Sequence, residues 1–213
     1  MKAFQLPSDL QSVVCLGAHP DDIEIGAGGT IAAIGLAKPE ALFTFIVLSA
    51  DHRRATEAVA SAEALLGERV EVHIGDFEDG YLPYRDSAGV KDYLKAVLPS
   101  HADLVIGPHH DDGHQDHRFA SELLGELCRK QPILGYEIIK YDGDLGQPSV
   151  FFPSTAAHCE KKVATIVESF DSQKGKHWFD EEAISALMRI RGVESDSQSR
   201  YAEAFYGRKM VIQ

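Results

Sequence analysis

Short apolar runs alternate with amphipathic stretches along most of the chain, and the spacing of apolar positions changes between them. Ser12 to Gly17 (SVVCLG), 42–48, 69–74 and 103–107 are brief and nearly continuous in apolar or β-branched residues, the pattern of strands buried on both faces. Between and after them, apolar positions recur at helical spacing near 28–37, 53–66, 88–98 and 116–129; in the last, Phe119, Leu123, Leu124 and Leu127 share one face. The alternation predicts an α/β fold, a Rossmann-like and mostly parallel sheet with helices on both faces. Leu134 to Ile139 and Ser149 to Phe152 read as further strands, separated by the turn residues Asp142-Gly143-Asp144-Leu145-Gly146. Helical patterns follow near 156–169, 180–191 and 197–206. No repeat or low-complexity linker interrupts the pattern, so residues 1–213 are expected to form a single domain.

Composition narrows the partners. A net charge of −12 argues against nonspecific binding to nucleic acid or to an anionic membrane. Cys15, Cys128 and Cys159 are odd in number and widely spaced, so they imply neither a disulfide framework nor a cysteine zinc knuckle. Met1 to Leu10 is short and mixed in character, and no apolar run approaches the roughly 20 residues that span a bilayer. The expectation is a cytoplasmic protein with a small-molecule substrate, no nucleic acid and no membrane, with a homo-oligomer left open.

Two polar clusters then stand out against the apolar pattern. Ala18-His19-Pro20-Asp21-Asp22 follows the first strand, and His114-Gln115-Asp116-His117 follows the strand at 103–107 and opens the next helical pattern. Both lie where parallel α/β proteins place their chemistry, at the carboxyl ends of strands. Pro20 fixes one torsion and disfavours helix at His19, giving an ordered loop. Neutral imidazole and carboxylate both suit zinc, and catalytic sites commonly use three such ligands plus water. His19, Asp22 and His117 are the natural set, and the same donors can accept iron(II) or cobalt. Asp21 cannot easily share its neighbour's ion, because adjacent side chains on an extended loop diverge, so it is the candidate general base. His114 and His117 are three apart at a helix start, so one can ligate while the other donates. A protonated His114, kept charged by a carboxylate such as Asp116, would stabilise an oxyanion and then protonate a leaving amine. Asp116 would orient His114 or a ligand.

The A-H-P-D-D pattern, an R-x-x-E helix from Arg54 to Glu57 leading to Leu66-Gly67, and the later H-x-D-H resemble the PIG-L/LmbE family of zinc-dependent N-acetylglucosaminyl deacetylases over nearly the whole chain. The resemblance implies an LmbE-like fold and hydrolysis of an N-acetyl group on an amino sugar, releasing acetate and free amine. It places His19, Asp22 and His117 on the metal ligands, Asp21 on the general base and His114 on the imidazole that stabilises the tetrahedral intermediate. It also places Arg54 and Asp79 near sugar contacts. Tyr201-Ala202-Glu203-Ala204-Phe205 resembles a recurrent family ending. The chain departs from the pattern at Ile23-Glu24, where an acidic residue often follows Asp22 directly, at Gln115, where proline is usual, and at Phe170, where many relatives have histidine.

Blander readings compete at several positions. A lone His-Pro-Asp-Asp is most often a loop whose aspartates cap the next helix, but two such clusters after two strands are harder to explain as capping. Gly26-Ala27-Gly28-Gly29 suggests a phosphate-binding loop and a noncatalytic nucleotide module, yet it lacks G-x-G-x-x-G spacing and reads better as tight helix packing. His109 and His110 could orient a ligand or be solvated, and His52 lies at the edge that carries the clusters. Tyr136 to Asp144 reads as an edge strand with one wet face; the sharper alternative puts Lys140 on a substrate phosphate. Lys176-His177-Trp178-Phe179 could line the acceptor site or a subunit contact. The same zinc site could also cleave a different amide, such as a thiol conjugate.

Overall fold

Alternate residues of each central strand point into two apolar layers, and this organises residues 5–209, the part of the chain that the computed structural model describes. The reading of Met1 to Leu10, and the outer limits of the expected domain, lie partly outside those residues. Strands β1 (Ser12–Gly17), β2 (Leu42–Val47), β3 (Val70–Ile74), β4 (Leu104–Pro108) and β5 (Ile133–Tyr136) pair in parallel, in the order β3-β2-β1-β4-β5. Strands β6 (Val150–Ser154) and β7 (Tyr201–Arg208) complete a seven-stranded sheet, with β7 antiparallel between β5 and β6. The helices are α1 (Asp22–Ala37), α2 (His52–Leu66), α3 (Ser87–Val97), α4 (Gln115–Leu127), α5 (Ala156–Ser169) and α6 (Glu181–Glu194). Val13, Cys15, Phe43, Phe45, Ile106 and Tyr136 share one core with apolar residues of α1, α2, α5 and α6. Val14, Leu16, Ile46 and Val105 share the other with α3 and α4. Apolar residues at successive positions are therefore required, since each strand feeds two cores.

The sheet departs from the sequence reading at its antiparallel edge. The stretch near 197–206, expected to be helical, is mostly strand β7. Alanine and glutamate favour helix locally, but Tyr201, Glu203 and Phe205 fall on one face of the strand and Ala202 and Ala204 on the other. The main chain of β7 pairs with β6 over Tyr201–Phe205 and with β5 over Phe205–Arg208, ladders that a helix here would forfeit. Tyr136 to Asp144 is likewise not an edge strand: β5 ends at Tyr136, lies between β4 and β7, and gives way to irregular chain.

Helix α1 starts at Asp22, about two turns before the expected 28, and contains the whole Gly26-Ala27-Gly28-Gly29 stretch. The glycines are buried and serve packing. A Cβ at Gly26 would lie 2.3 Å from ring carbons of Tyr136, whose hydroxyl donates to the Leu16 carbonyl at 2.7 Å. A helix so rich in glycine is intrinsically weak, and a buried ion pair supports it from the side. Lys162 on α5 donates to Glu203 at 2.6 Å and to the Ile25 carbonyl at 2.6 Å. Glu203 accepts the amides of Gly29 at 3.0 Å and Thr30 at 2.6 Å. The ammonium and carboxylate thus engage main-chain groups one turn apart in the middle of α1.

Removing one member of a buried pair leaves an uncompensated charge. Lys162→Met should therefore cost about 3–5 kcal/mol in denaturant unfolding, and Lys162→Met/Glu203→Gln less than the sum of the single variants; additive losses would show that the pair does not act as a unit.

Candidate active site

β1 and β4 are neighbours in the sheet but send their following helices to opposite faces, which opens a crevice at their carboxyl ends. The loop after β1 carries His19, Pro20 and Asp21 into α1, and the loop after β4 runs from His109 to His114 before α4. Gly17 is required at the first turn, because a Cβ there would stand 2.8 Å from the His19 carbonyl. The Asp22 carboxylate closes the same turn by accepting the His19 amide at 2.8 Å. At the second loop the His114 ring caps α4, its Nδ1 accepting the Asp116 amide at 3.3 Å.

These two loops bring residues almost a hundred positions apart onto one point. Nδ1 of His19 lies 3.2 Å from Nε2 of His117 and 3.5 Å from Oδ2 of Asp22, and that oxygen lies 3.3 Å from Nε2 of His117. Donors held tetrahedrally at about 2.0–2.1 Å from zinc stand about 3.3–3.4 Å apart, so the three atoms have the separations of one face of such a site. The outer nitrogens of both rings meet carboxylates, the usual companions of metal-ligating histidine. Nε2 of His19 is 3.3 Å from Asp116 and 3.1 Å from Asp79, while Nδ1 of His117 is 3.1 Å from Asp112, a close ionic contact off the hydrogen-bonding angle. Asp116 is itself fixed by the amides of Gly80 at 2.7 Å and Leu82 at 3.2 Å. His19, Asp22 and His117 could therefore hold a divalent cation. His114 also lies close, its ring centroid 5.0 Å from that of His19 and 4.8 Å from that of His117.

Charge in this crevice is strongly coupled. Burial opposes a charged His117, but Asp22 and Asp112 outweigh it and raise its pKa to about 9. His19 is raised for the same reason, burial being overcome by Asp22, Asp116 and Asp79. Burial would raise Asp22, yet His117 and His19 hold it well below the usual carboxylate range. Asp21 goes the other way: burial and the Asp22 charge push its pKa up, against the pull of Arg54, whose Nη2 is 3.0 Å away. Arg54 also reaches Asp79 at 3.5 Å, and the hydrogen bond from His19 lowers Asp79 to about 2 against the effect of burial.

Several expectations change here. Burial and the neighbouring His117 and His19 lower the pKa of His114, which favours a neutral ring over the protonated one expected from the sequence. With Nδ1 accepting from the main chain, its remaining proton sits on Nε2. Of the two partners expected for Asp116, His114 or a ligand, the carboxylate meets the His19 ring. His110 is exposed, and His109 stacks on Tyr206 with ring centroids 3.5 Å apart; the residue of that loop that faces a site imidazole is Asp112. His52 is exposed at the start of α2. Lys140 is committed to Asp112 and Asp144 instead of facing a substrate phosphate. The glycines at 26, 28 and 29 are shut inside α1, in line with the packing reading preferred over a nucleotide loop. Asp112 carried a signal in the sequence, an acidic pair between a strand end and H-x-D-H, whereas Lys162 and Glu203 carried none beyond the family-like ending.

Residues 14–128 match the family PIG-L, described as GlcNAc-PI de-N-acetylase, and the chain belongs to that family. It is 29% identical over 140 residues to the uncharacterized deacetylase YaiS of Escherichia coli K12, covering 60% of this chain and 74% of that protein. It is 27% identical over 132 residues to diacetylchitobiose deacetylase of Thermococcus kodakarensis, covering 54% of this chain but only 48% of the relative. In fold it is similar to N,N'-diacetylchitobiose deacetylase from Pyrococcus horikoshii, with a TM-score of 0.72 at 22% identity over 96% of this chain and 87% of that one. The same fold, at a TM-score of 0.74 and 20% identity over 96% of this chain and 98% of the other, is that of the hydratase GalB from Pseudomonas putida KT2440. Fold alone therefore does not select the reaction. Among the described residues no helix is long and apolar enough to cross a membrane.

Glu24, beside the cluster and hydrogen-bonded to Ser61, is raised by burial to about 8 and so is neutral at pH 7. A carboxyl whose folded pKa exceeds its unfolded value of about 4.3 contributes stability at low pH that is lost as pH rises through that window. Glu24→Gln should accordingly gain stability over the unmodified protein as pH goes from 5 to 8, by at most about 1.4 kcal/mol per pH unit. A difference between the two proteins that is flat across this range would contradict a neutral buried Glu24.

Proposed function

We propose that this protein is a metal-dependent N-deacetylase that hydrolyses the acetamido group of an N-acetylglucosamine-type sugar or conjugate to acetate and free amine. The observation that carries the reading is the triangle of His19, Asp22 and His117 with the buried Asp21 carboxylate beside it. Family membership supports the deacetylase class. His19, Asp22 and His117 would hold zinc, and the same two imidazoles and carboxylate also suit iron(II). When bound, such an ion supplies Lewis acidity at the amide oxygen and a water that is acidic near neutral pH.

The chain's own groups carry the protons. Asp21, its pKa raised, takes a proton from the attacking water as the new C–O bond forms. The neutral His114 donates its Nε2 proton as a hydrogen bond to the developing oxyanion. As the C–N bond breaks, Asp21 returns its proton to the departing nitrogen, so the amine leaves neutral and no charged His114 is needed. Asp116 and Asp112 hold the His19 and His117 rings in place. Arg54 and Asp79 stand at the rim, where they would meet sugar hydroxyls. Three free, buried cysteines suit the cytoplasm as the compartment.

Asp21→Asn should retain metal and lose two to four orders of magnitude in acetate release from N-acetylglucosamine derivatives, about what a positioned base contributes; near-normal turnover would remove Asp21 from the mechanism. Arg54→Ala should mainly raise KM across a panel of N-acetyl sugars. A KM unchanged for every sugar would count against the rim assignment.

A further inference from the structure

The loop after β5 meets the loop after β4 at Asp112 and Gly113. The Lys140 ammonium lies 3.1 Å from Oδ2 of Asp112, 2.5 Å from Oδ2 of Asp144 and 3.4 Å from the Ile138 carbonyl. An ammonium has three protons to donate, and all three are taken, which leaves none for a substrate. Its side chain is 11% exposed and that of Asp112 only 2%, so this is a charge placed inside the protein at a desolvation cost rather than a surface pair.

The other oxygen of Asp112 explains the placement. Oδ1 accepts the His114 amide at 2.8 Å and contacts Nδ1 of His117 at 3.1 Å. Asp112 is thus pinned at both ends, with Lys140 on one oxygen and the site on the other. The surrounding chain leaves it little freedom: Arg118 donates to the Asp112 carbonyl at 2.7 Å, and Asp144 accepts the Gly113 amide at 2.5 Å. Asp112 is the carboxylate that meets the outer nitrogen of His117, so its orientation decides how that ring is presented. Partners at this remove from a metal typically change affinity 10- to 100-fold.

On the reading that His117 is a metal ligand, we infer that Lys140 is a positioning residue for the metal centre, acting through Asp112 to hold the His117 ring. The opposing possibility is a simple latch, in which Lys140 fastens the loop after β5 through Asp144 alone. The two differ in how Lys140 and Asp112 combine, because residues acting in series do not add.

The test is the zinc dissociation constant, measured by competition with a chromogenic chelator on full-length Lys140→Met, Asp112→Asn, their double variant and Asp144→Asn. Far-UV circular dichroism checks folding, and Lys140→Gln replaces Lys140→Met should the latter fail to fold. Positioning predicts about tenfold weaker zinc binding for Lys140→Met, a double variant no weaker than Asp112→Asn, and Asp144→Asn within about threefold of the unmodified protein. The cobalt-loaded Lys140→Met protein should also show a changed visible ligand-field spectrum. Unchanged zinc affinity in Lys140→Met, or the same further loss in the Asp112→Asn background, would overturn the proposal while leaving His117 as a ligand. Failure of the unmodified protein to bind zinc would instead remove the metal reading, and this inference with it.

Discussion

Buried carboxylates in a crevice must be compensated by positive charge, and that constraint governs the centre of this protein. Asp22, Asp112 and Asp116 are almost wholly buried around His19 and His117. Unpaired, such charges are too costly to keep away from water. In the protein as described, the imidazoles meet the demand by being raised in pKa, His117 to about 9. A divalent cation answers the same demand more directly, with the imidazoles neutral as ligands. The neighbouring Asp21 and Glu24 are raised instead, first by burial and then by the negative charge beside them. One electrostatic situation therefore separates two adjacent aspartates: Asp22 stays ionised beside the imidazoles, and Asp21 is poised to carry a proton.

The rest of the fold serves to deliver these groups to one place. The parallel pairing of β1 with β4 sets the two loops side by side. Asp22 is the first residue of α1, a helix whose glycines admit Tyr136 on one side and the Lys162–Glu203 pair on another. Strand β7 thus supports through Glu203 the middle of the helix that begins at Asp22, and chain beyond the region matched to the family braces an element within it.

Much of this was legible in the chain. Strand and helix periods gave the parallel sheet and its layers, because each central strand feeds two cores and each helix only one. The paired motifs pointed to the crevice, since histidines and aspartates immediately after two buried strands have few other uses. What local patterns could not reveal depended on contacts distant in sequence. The helical propensity of Ala202, Glu203 and Ala204 was overridden by their pairing with β6. The lowered pKa of His114 follows from burial and from two neighbouring rings, one of them from the far cluster. Asp112 and Lys140 gain meaning only when the loops after β4 and β5 meet.

On the proposed reading, the two distant clusters make one cation site. Its most direct test is the metal content per chain, by elemental analysis after chelator-free purification and zinc reconstitution, of the unmodified protein beside His19→Ala and His117→Ala. The unmodified protein should hold close to one equivalent of metal, and either variant, one from each cluster, little. Full metal content in both variants, or none in the unmodified protein after reconstitution, would contradict that reading.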